Sequence, residues 1–126
     1  MRDALTTKRY EIIGACLNVH SALGCGFLES VYQEALAIEF KLLNIPFYKE
    51  VQLKVLYKGQ VLEKFFMADF VCYENIIVEL KALKKLESIH KSQVINYLQV
   101  TKYDYGLLIN FGGKSLQHEK INNLIK

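Results

Sequence analysis

Apolar residues recur every three to four positions from Thr7 to Leu23, at Tyr10, Ile13, Cys16, Leu17 and Leu23, with His20 on the same line. That period predicts a helix, and Thr6 or Thr7 is placed to cap it. Gly24-Cys25-Gly26 ends it, since two glycines in three residues suit a C-cap and a sharp turn. A second helical period runs from about Leu28 to Leu43, with Leu28, Val31, Tyr32, Ala35 and Leu42 as its apolar side. Asn44-Ile45-Pro46 closes it, because the residue before a proline is pushed out of helical space.

The pattern then changes to alternation. Phe47, Val51, Leu53 and Val55 stand against Glu50, Gln52 and Lys54, which predicts a half-buried strand. Tyr57-Lys58-Gly59-Gln60 suits a hairpin turn, and Val61 to Tyr73 forms a long second strand. Glu74-Asn75 is a tight turn into a third strand, Ile76 to Leu83. Turns this short imply an antiparallel meander. From Leu86 to Thr101 the helical period returns through Leu86, Ile89, Val94, Tyr97 and Leu98. Tyr105 to Phe111 is almost continuously apolar and predicts a fully buried strand, stopped by Gly112-Gly113. Glu119 to Ile125 fits either a weak helix or an edge strand.

The order α-α-β-β-β-α-β points to the α/β class, with one mixed sheet flanked by helices. The strand reached through a helix should lie parallel to its neighbour by a right-handed crossover. At 126 residues, positions 1–126 form one domain by length, with 52% hydrophobic and 23% charged residues. No apolar stretch approaches the ~18 residues of a membrane span. Lys8, Arg9 and Glu11 interrupt the N-terminal segment, so no signal peptide is visible. Cys16, Cys25 and Cys72 are odd in number and scattered, which fits reduced thiols in a cytoplasmic protein.

The third strand carries an anomaly. Glu79 and Lys81 sit two residues apart on an apolar strand and share one face, about 6–7 Å apart. They are either a structural ion pair or part of an active site. In the preceding strand Asp69 is a lone carboxylate among Phe66, Met67, Ala68, Phe70 and Val71. Burying it unpaired is costly. Counting back from the Glu74-Asn75 turn, position 69 can pair near position 80, so Asp69 and Glu79 can meet. Two such carboxylates repel unless a cation lies between them, and their oxygens suit a hard ion such as Mg²⁺. Lys81 would then hold or help deprotonate a water nucleophile; otherwise it neutralises the pair.

Further along, His90, Gln93 and Tyr97 form a polar stripe at helical spacing, which is either a groove wall or an ordinary boundary. Glu29 opens the second helix, where the helix dipole alone is sufficient reason for a carboxylate. Cys16, His20 and Cys25 lack the fourth ligand and spacing of a zinc site. Net charge is +3 and unevenly spread. Lys81, Lys84, Lys85 and Lys91 crowd the stretch after Glu79. They form either a basic field suited to phosphate or a solvated helix start.

Gly26-Phe27-Leu28-Glu29-Ser30-Val31-Tyr32 resembles the signature of the GxxExxY family, small proteins of the PD-(D/E)XK nuclease superfamily. The resemblance continues through Tyr57-Lys58-Gly59, Ala68-Asp69, Val78 to Ala82, Ile89-His90, Gln93, Asn96 to Leu98 and Gly106 to Gly112. It implies a restriction-endonuclease-like αβββαβ core. It also implies roles. Glu29, Asp69 and Glu79 look like metal-binding acids for Mg²⁺ or Mn²⁺, Lys81 like the motif lysine, and Gln93 and Tyr97 like a QxxxY helix motif. Ala68 stands where the superfamily usually has proline.

The implied reaction is phosphodiester hydrolysis, most readily of DNA, by a metal-bound water that Lys81 orients. Lys84, Lys85 and Lys91 would hold neighbouring phosphates. A non-catalytic nucleic-acid or protein-binding module of the same fold is the alternative. An enzyme acting on another substrate with the same metal site is a third. With no appended DNA-binding domain and no strong basic arm, tight binding would call for a homodimer or a partner protein.

Overall fold

The computed structural model describes residues 4–123. Helix α1 spans Ala4–Leu23 and α2 spans Glu29–Leu42. Strands β1 (Phe47–Tyr57), β2 (Gln60–Cys72) and β3 (Ile76–Lys81) follow, then α3 (Ser88–Thr101), β4 (Tyr105–Asn110) and β5 (Gln117–Asn122). The sheet order is β1-β2-β3-β4-β5. The first three strands are an antiparallel meander, β4 lies parallel to β3 after the α3 crossover, and β5 closes antiparallel on β4. This is the α/β, restriction-endonuclease-like architecture, a mixed sheet flanked by helices. The segment that fitted either a helix or a strand is an edge strand, and its last positions lie outside the described residues.

The sheet is buried on both faces at its centre, as its apolar runs require. On one face Val78, Leu80, Leu107 and Ile109 pack under α1 and α2. On the other, Ile77 and Leu108 pack with Val94 and Leu98 of α3. Gly106 of β4 lets α3 approach, because a Cβ there would lie 2.5 Å from Val94 Cγ1. Glu87 and His90 form a capping box at the start of α3, and the Glu87 N–H donates to His90 Nδ1 at 2.9 Å. His90 is therefore a cap on that helix.

The helices bury part of the faces their spacing suggested, Ile13 and Cys16 in α1, Tyr32 in α2 and Val94 and Leu98 in α3, and turn others of those residues outward. In α1, Ile12, Ala15, Cys16 and Val19 are buried, whereas Tyr10 and Leu17 are about half exposed, at 48% and 47%. In α2, Tyr32, Leu36 and Phe40 are buried, whereas Leu28 and Leu42 are 77% and 70% exposed. Ile89 lies outside the α3 core at 58% exposure. Apolar residues occur on several sides of these helices, so period alone admits more than one face and packing selects among them.

The alternation in β1 also breaks. Phe47 joins the α1/α2 core, yet Val51 and Leu53 join the α3 core. The break falls at Glu50, whose φ of 56° is left-handed. Opposite it, β2 makes the same change: Phe70 and Cys72 face α1 and α2, Phe66 and Ala68 face α3. The residue at that change is Asp69. A single left-handed residue in a strand shifts the pleat and turns the side chains beyond it to the other face.

Candidate active site

The β2–β3 ladder runs only from Cys72↔Ile76 to Phe70↔Val78. Beyond that pair the backbones part, and two carboxyl groups bridge the gap. Asp69 N–H donates to Glu79 Oε1 at 2.9 Å, and Leu80 N–H donates to Asp69 Oδ2 at 2.8 Å. Each side chain thus accepts a backbone donor that the interrupted ladder would otherwise leave unpaired. Asp69 and Glu79 are held side by side, Asp69 Oδ2 and Glu79 Oε1 each taking one backbone donor. Asp69 stands opposite Glu79, one position from the partner that counting from the turn suggested.

Glu29 is displayed by the loop between α1 and α2. Gly26 takes φ 109°, a conformation that side chains rarely adopt, and turns the chain into the helix. The Tyr32 hydroxyl donates to Gly24 O at 2.6 Å and accepts from Phe27 N–H at 3.3 Å. Its ring stacks on Phe111 at 4.6 Å. The glycine and the tyrosine on either side therefore fix where Glu29, the first residue of α2, projects. One turn later Gln33 reaches Asp69, Nε2 to Oδ1 at 3.4 Å.

The electrostatics show that the carboxyls share one region. Burial, then Asp69, push Glu79 up to about 8, with Glu29 adding to the rise. Asp69 is raised chiefly by burial, with Glu50 adding, while Leu80 N–H and Lys81 pull it down. Glu29, the most exposed of the three, is raised by burial and by Asp69 and lowered by Lys81. Lys81 makes no ion pair within 4.0 Å among the described residues. It acts on the carboxyls from farther away, and a close structural ion pair is not what holds it.

Tyr97 of α3 is half-buried, packs its ring on Phe66 of β2 at 4.7 Å, and is raised to about 12 by burial, Glu79 and Asp69. Gln93 lies one turn earlier and is exposed, and the hydrogen bonds of the Asp69 and Glu79 carboxyls among the described residues come from Gln33, Leu80 N–H and Asp69 N–H. Lys84 and Lys85 are exposed and flank a surface hollow with Leu83, Glu87 and His90. Lys91 points elsewhere: its Nζ pairs with Glu119 Oε1 of β5 at 3.0 Å.

Three residues of this region were missed in the sequence. Gln33 follows Glu29 by one helical turn, which was the one available hint. Glu50 sat on an ordinary polar strand face, yet its left-handed backbone sets the break at Asp69. Asn110 lies hidden in an apolar run and is fully buried. Its Oδ1 accepts Leu83 N–H at 2.8 Å, and its Nδ2 donates to Leu83 O at 3.0 Å and to Gln117 Oε1 at 2.7 Å. It clamps the chain that leaves β3 just after Lys81. Gly112 completes the clamp, since a Cβ there would lie 2.1 Å from Leu83 O.

Among the described residues no three His, Cys, Asp or Glu side chains stand close enough to form a ready metal cage. Mg²⁺ does not need one, because it usually keeps several waters and takes one or two carboxylates. The Asp69–Glu79 pair fits that demand. Glu79 is buried and Asp69 partly buried, both are oxygen donors raised first by burial, and Glu79 Oε2 accepts no hydrogen bond among the described residues.

The sequence profile of the PD-(D/E)XK nuclease superfamily matches residues 6–123, and the chain belongs to that superfamily. The crystal structure of SSO0001 is similar in fold, with a TM-score of 0.58 and 20% identity. The match covers 74% of this chain and 48% of that one, so the chain spans about half the length of that structure. No curated protein matches the sequence. Nucleases of this superfamily generally depend on a divalent metal and act on nucleic acid. No helix among the described residues is long and apolar enough to cross a membrane.

Proposed function

We propose that the chain is a metal-dependent nuclease that hydrolyses phosphodiester bonds in DNA, with Mg²⁺ or Mn²⁺ held by Asp69 and Glu79 and approached by Glu29. The observation that carries this reading is the reciprocal bridge of Asp69 and Glu79 across the parted strands, with Lys81 beside it and in no close ion pair. The cation would supply Lewis acidity to the phosphate and lower the pKa of water. Lys81 orients the attacking water and balances charge on the phosphate. Tyr97 and Gln93, one turn apart on α3, position the scissile strand. Lys84 and Lys85 meet the flanking phosphates. Lys91 joins them by leaving Glu119, since an exposed ion pair contributes at most about 1 kcal/mol.

Within the superfamily, Gly26 to Tyr32 supports placement in the GxxExxY family, and residues 1–126 are taken as one nuclease domain. Three free cysteines, two of them buried, favour a cytoplasmic setting. Self-association or a partner protein would add binding strength. The second reading is a binding module that keeps the fold without catalysis. That no three-donor cage stands among the described residues favours it.

Incubation of the purified protein with linear, circular and single-stranded DNA and with RNA, in Mg²⁺, Mn²⁺ or chelator, separates the two. Cleavage that needs metal and falls by about 100-fold or more in Glu79→Ala and Lys81→Ala supports the nuclease. Cleavage that persists in both variants, or in chelator, overturns these assignments. Binding without cleavage, unaltered by either substitution, supports the binding module.

A further inference from the structure

Past Phe70↔Val78, β2 pairs only with β1, and the two strands run on as an arm to the turn at Lys58-Gly59. One face of this arm packs on α3 through Val51, Leu53, Phe66 and Ala68. The other carries Gln52, Lys54, Phe65 and Met67, all exposed and paired across the strands as Gln52↔Met67 and Lys54↔Phe65. The α1/α2 core covers the sheet only as far as Phe47 and Phe70. An open strip therefore begins beside Asp69 and runs outward. From Asp69 to Phe65 it extends about 13 Å at ~3.3 Å per residue, the length of about four stacked nucleotides.

The strip has the chemistry of a nucleic-acid track. From Leu53 to Met67 the charged residues are Lys54, Lys58 and Lys64 against Glu63 alone. Phe65 and Met67 are 46% and 44% exposed and share their face with Lys54, whereas Lys64, next to Phe65 in the strand, points to the opposite face. Exposed aromatic and apolar surface beside lysines accepts base faces and phosphates together. Two such arms carry the same net positive charge and repel one another, whereas a nucleic-acid strand is complementary to either.

We propose that this open face of the β1–β2 arm binds the single-stranded part of a nucleic acid next to the carboxylate site, with bases on Phe65 and Met67 and a phosphate on Lys54. The choice of polyanion rests on the nuclease reading above. Fluorescence anisotropy of labelled oligothymidylates of about 4 and about 16 nucleotides, in chelator, tests it without turnover. Lys54→Glu with Phe65→Ala should weaken binding of the longer strand at least about 10-fold and remove its advantage over the shorter. Lys54→Glu alone, which leaves every apolar contact in place, should lower the salt slope by about 1. Lys41→Glu, the same charge change at the end of α2, should bind as wild type.

Wild-type affinity in both arm variants overturns the inference. So does a wild-type dimer, seen by sedimentation, that the arm variants dissociate, because the strip would then be covered by a second copy. Arm-dependent binding with no cleavage in Mg²⁺ overturns the nuclease reading and leaves the arm standing. Cleavage by the wild type, with arm variants that bind as well as it does, overturns the arm alone.

Discussion

Asp69 and Glu79 stand where β2 and β3 part, and their oxygens accept the backbone donors that separation exposes. The arrangement is ordered but electrostatically crowded. Burial raises all three carboxyls, Asp69 pushes Glu29 and Glu79 further up, Glu29 adds to the rise at Glu79, and Lys81 offsets only part of that. The sign of the pH effect follows. An unfolded glutamate ionises near ~4.3, whereas folded Glu79 holds its proton to about 8. Between those values the metal-free folded state binds more protons than the unfolded chain, so stability falls as pH rises. A melting series in chelator should show Tm dropping from pH 6 to pH 8.5. Glu79→Gln, which keeps an acceptor for Asp69 N–H, should flatten that slope, and a steep slope in the variant would refute the cause given. The oddity of Asp69, Glu79 and Lys81 was legible in the sequence because acids and bases are rare on apolar strands. Asn110 was not, because its amide is satisfied wholly by neighbours that only the fold brings near.

Among the elements, the loop into α2 shows what a short signature means physically. Gly26 supplies the left-handed turn, Tyr32 pins the loop with two hydrogen bonds and a stacked ring, and Glu29 lies between them. Tyr32→Phe keeps the ring and removes both bonds, leaving Gly24 O and Phe27 N–H without that partner. It should lower unfolding free energy by about 1–3 kcal/mol in urea titration with an unchanged m-value; a neutral result would remove the tyrosine from this role. Element order and type were legible, since period and turn chemistry agree along the chain. The buried faces of α1 and α2 were legible only in part, at Ile13, Cys16 and Tyr32, because Leu17, Leu28 and Leu42 offer apolar alternatives that lose only when the sheet is in place. Nor was the phase break in β1, since nothing in its alternation marks Glu50 as left-handed.

Across the whole molecule, two cores on opposite sides of one sheet meet at the same residue pair. The α1/α2 layer ends at Phe70, and the α3 layer continues under the arm through Phe66 and Ala68. The carboxylates lie at that step, reached by α2 from one side and by Tyr97 of α3 from the other. The meander, the crossover and the parallel β3–β4 pair followed from the sequence because short turns and a single crossover leave few topologies. The step did not, because it depends on how two layers of unequal reach share one sheet. The proposed chemistry depends on whether this step is a cation site. Titration of Mn²⁺ into the protein, followed by loss of the free-ion electron paramagnetic resonance signal, measures it directly. Binding by the wild type that Asp69→Asn and Glu79→Gln each abolish is the predicted result, and equal Mn²⁺ binding by all three proteins would contradict the account.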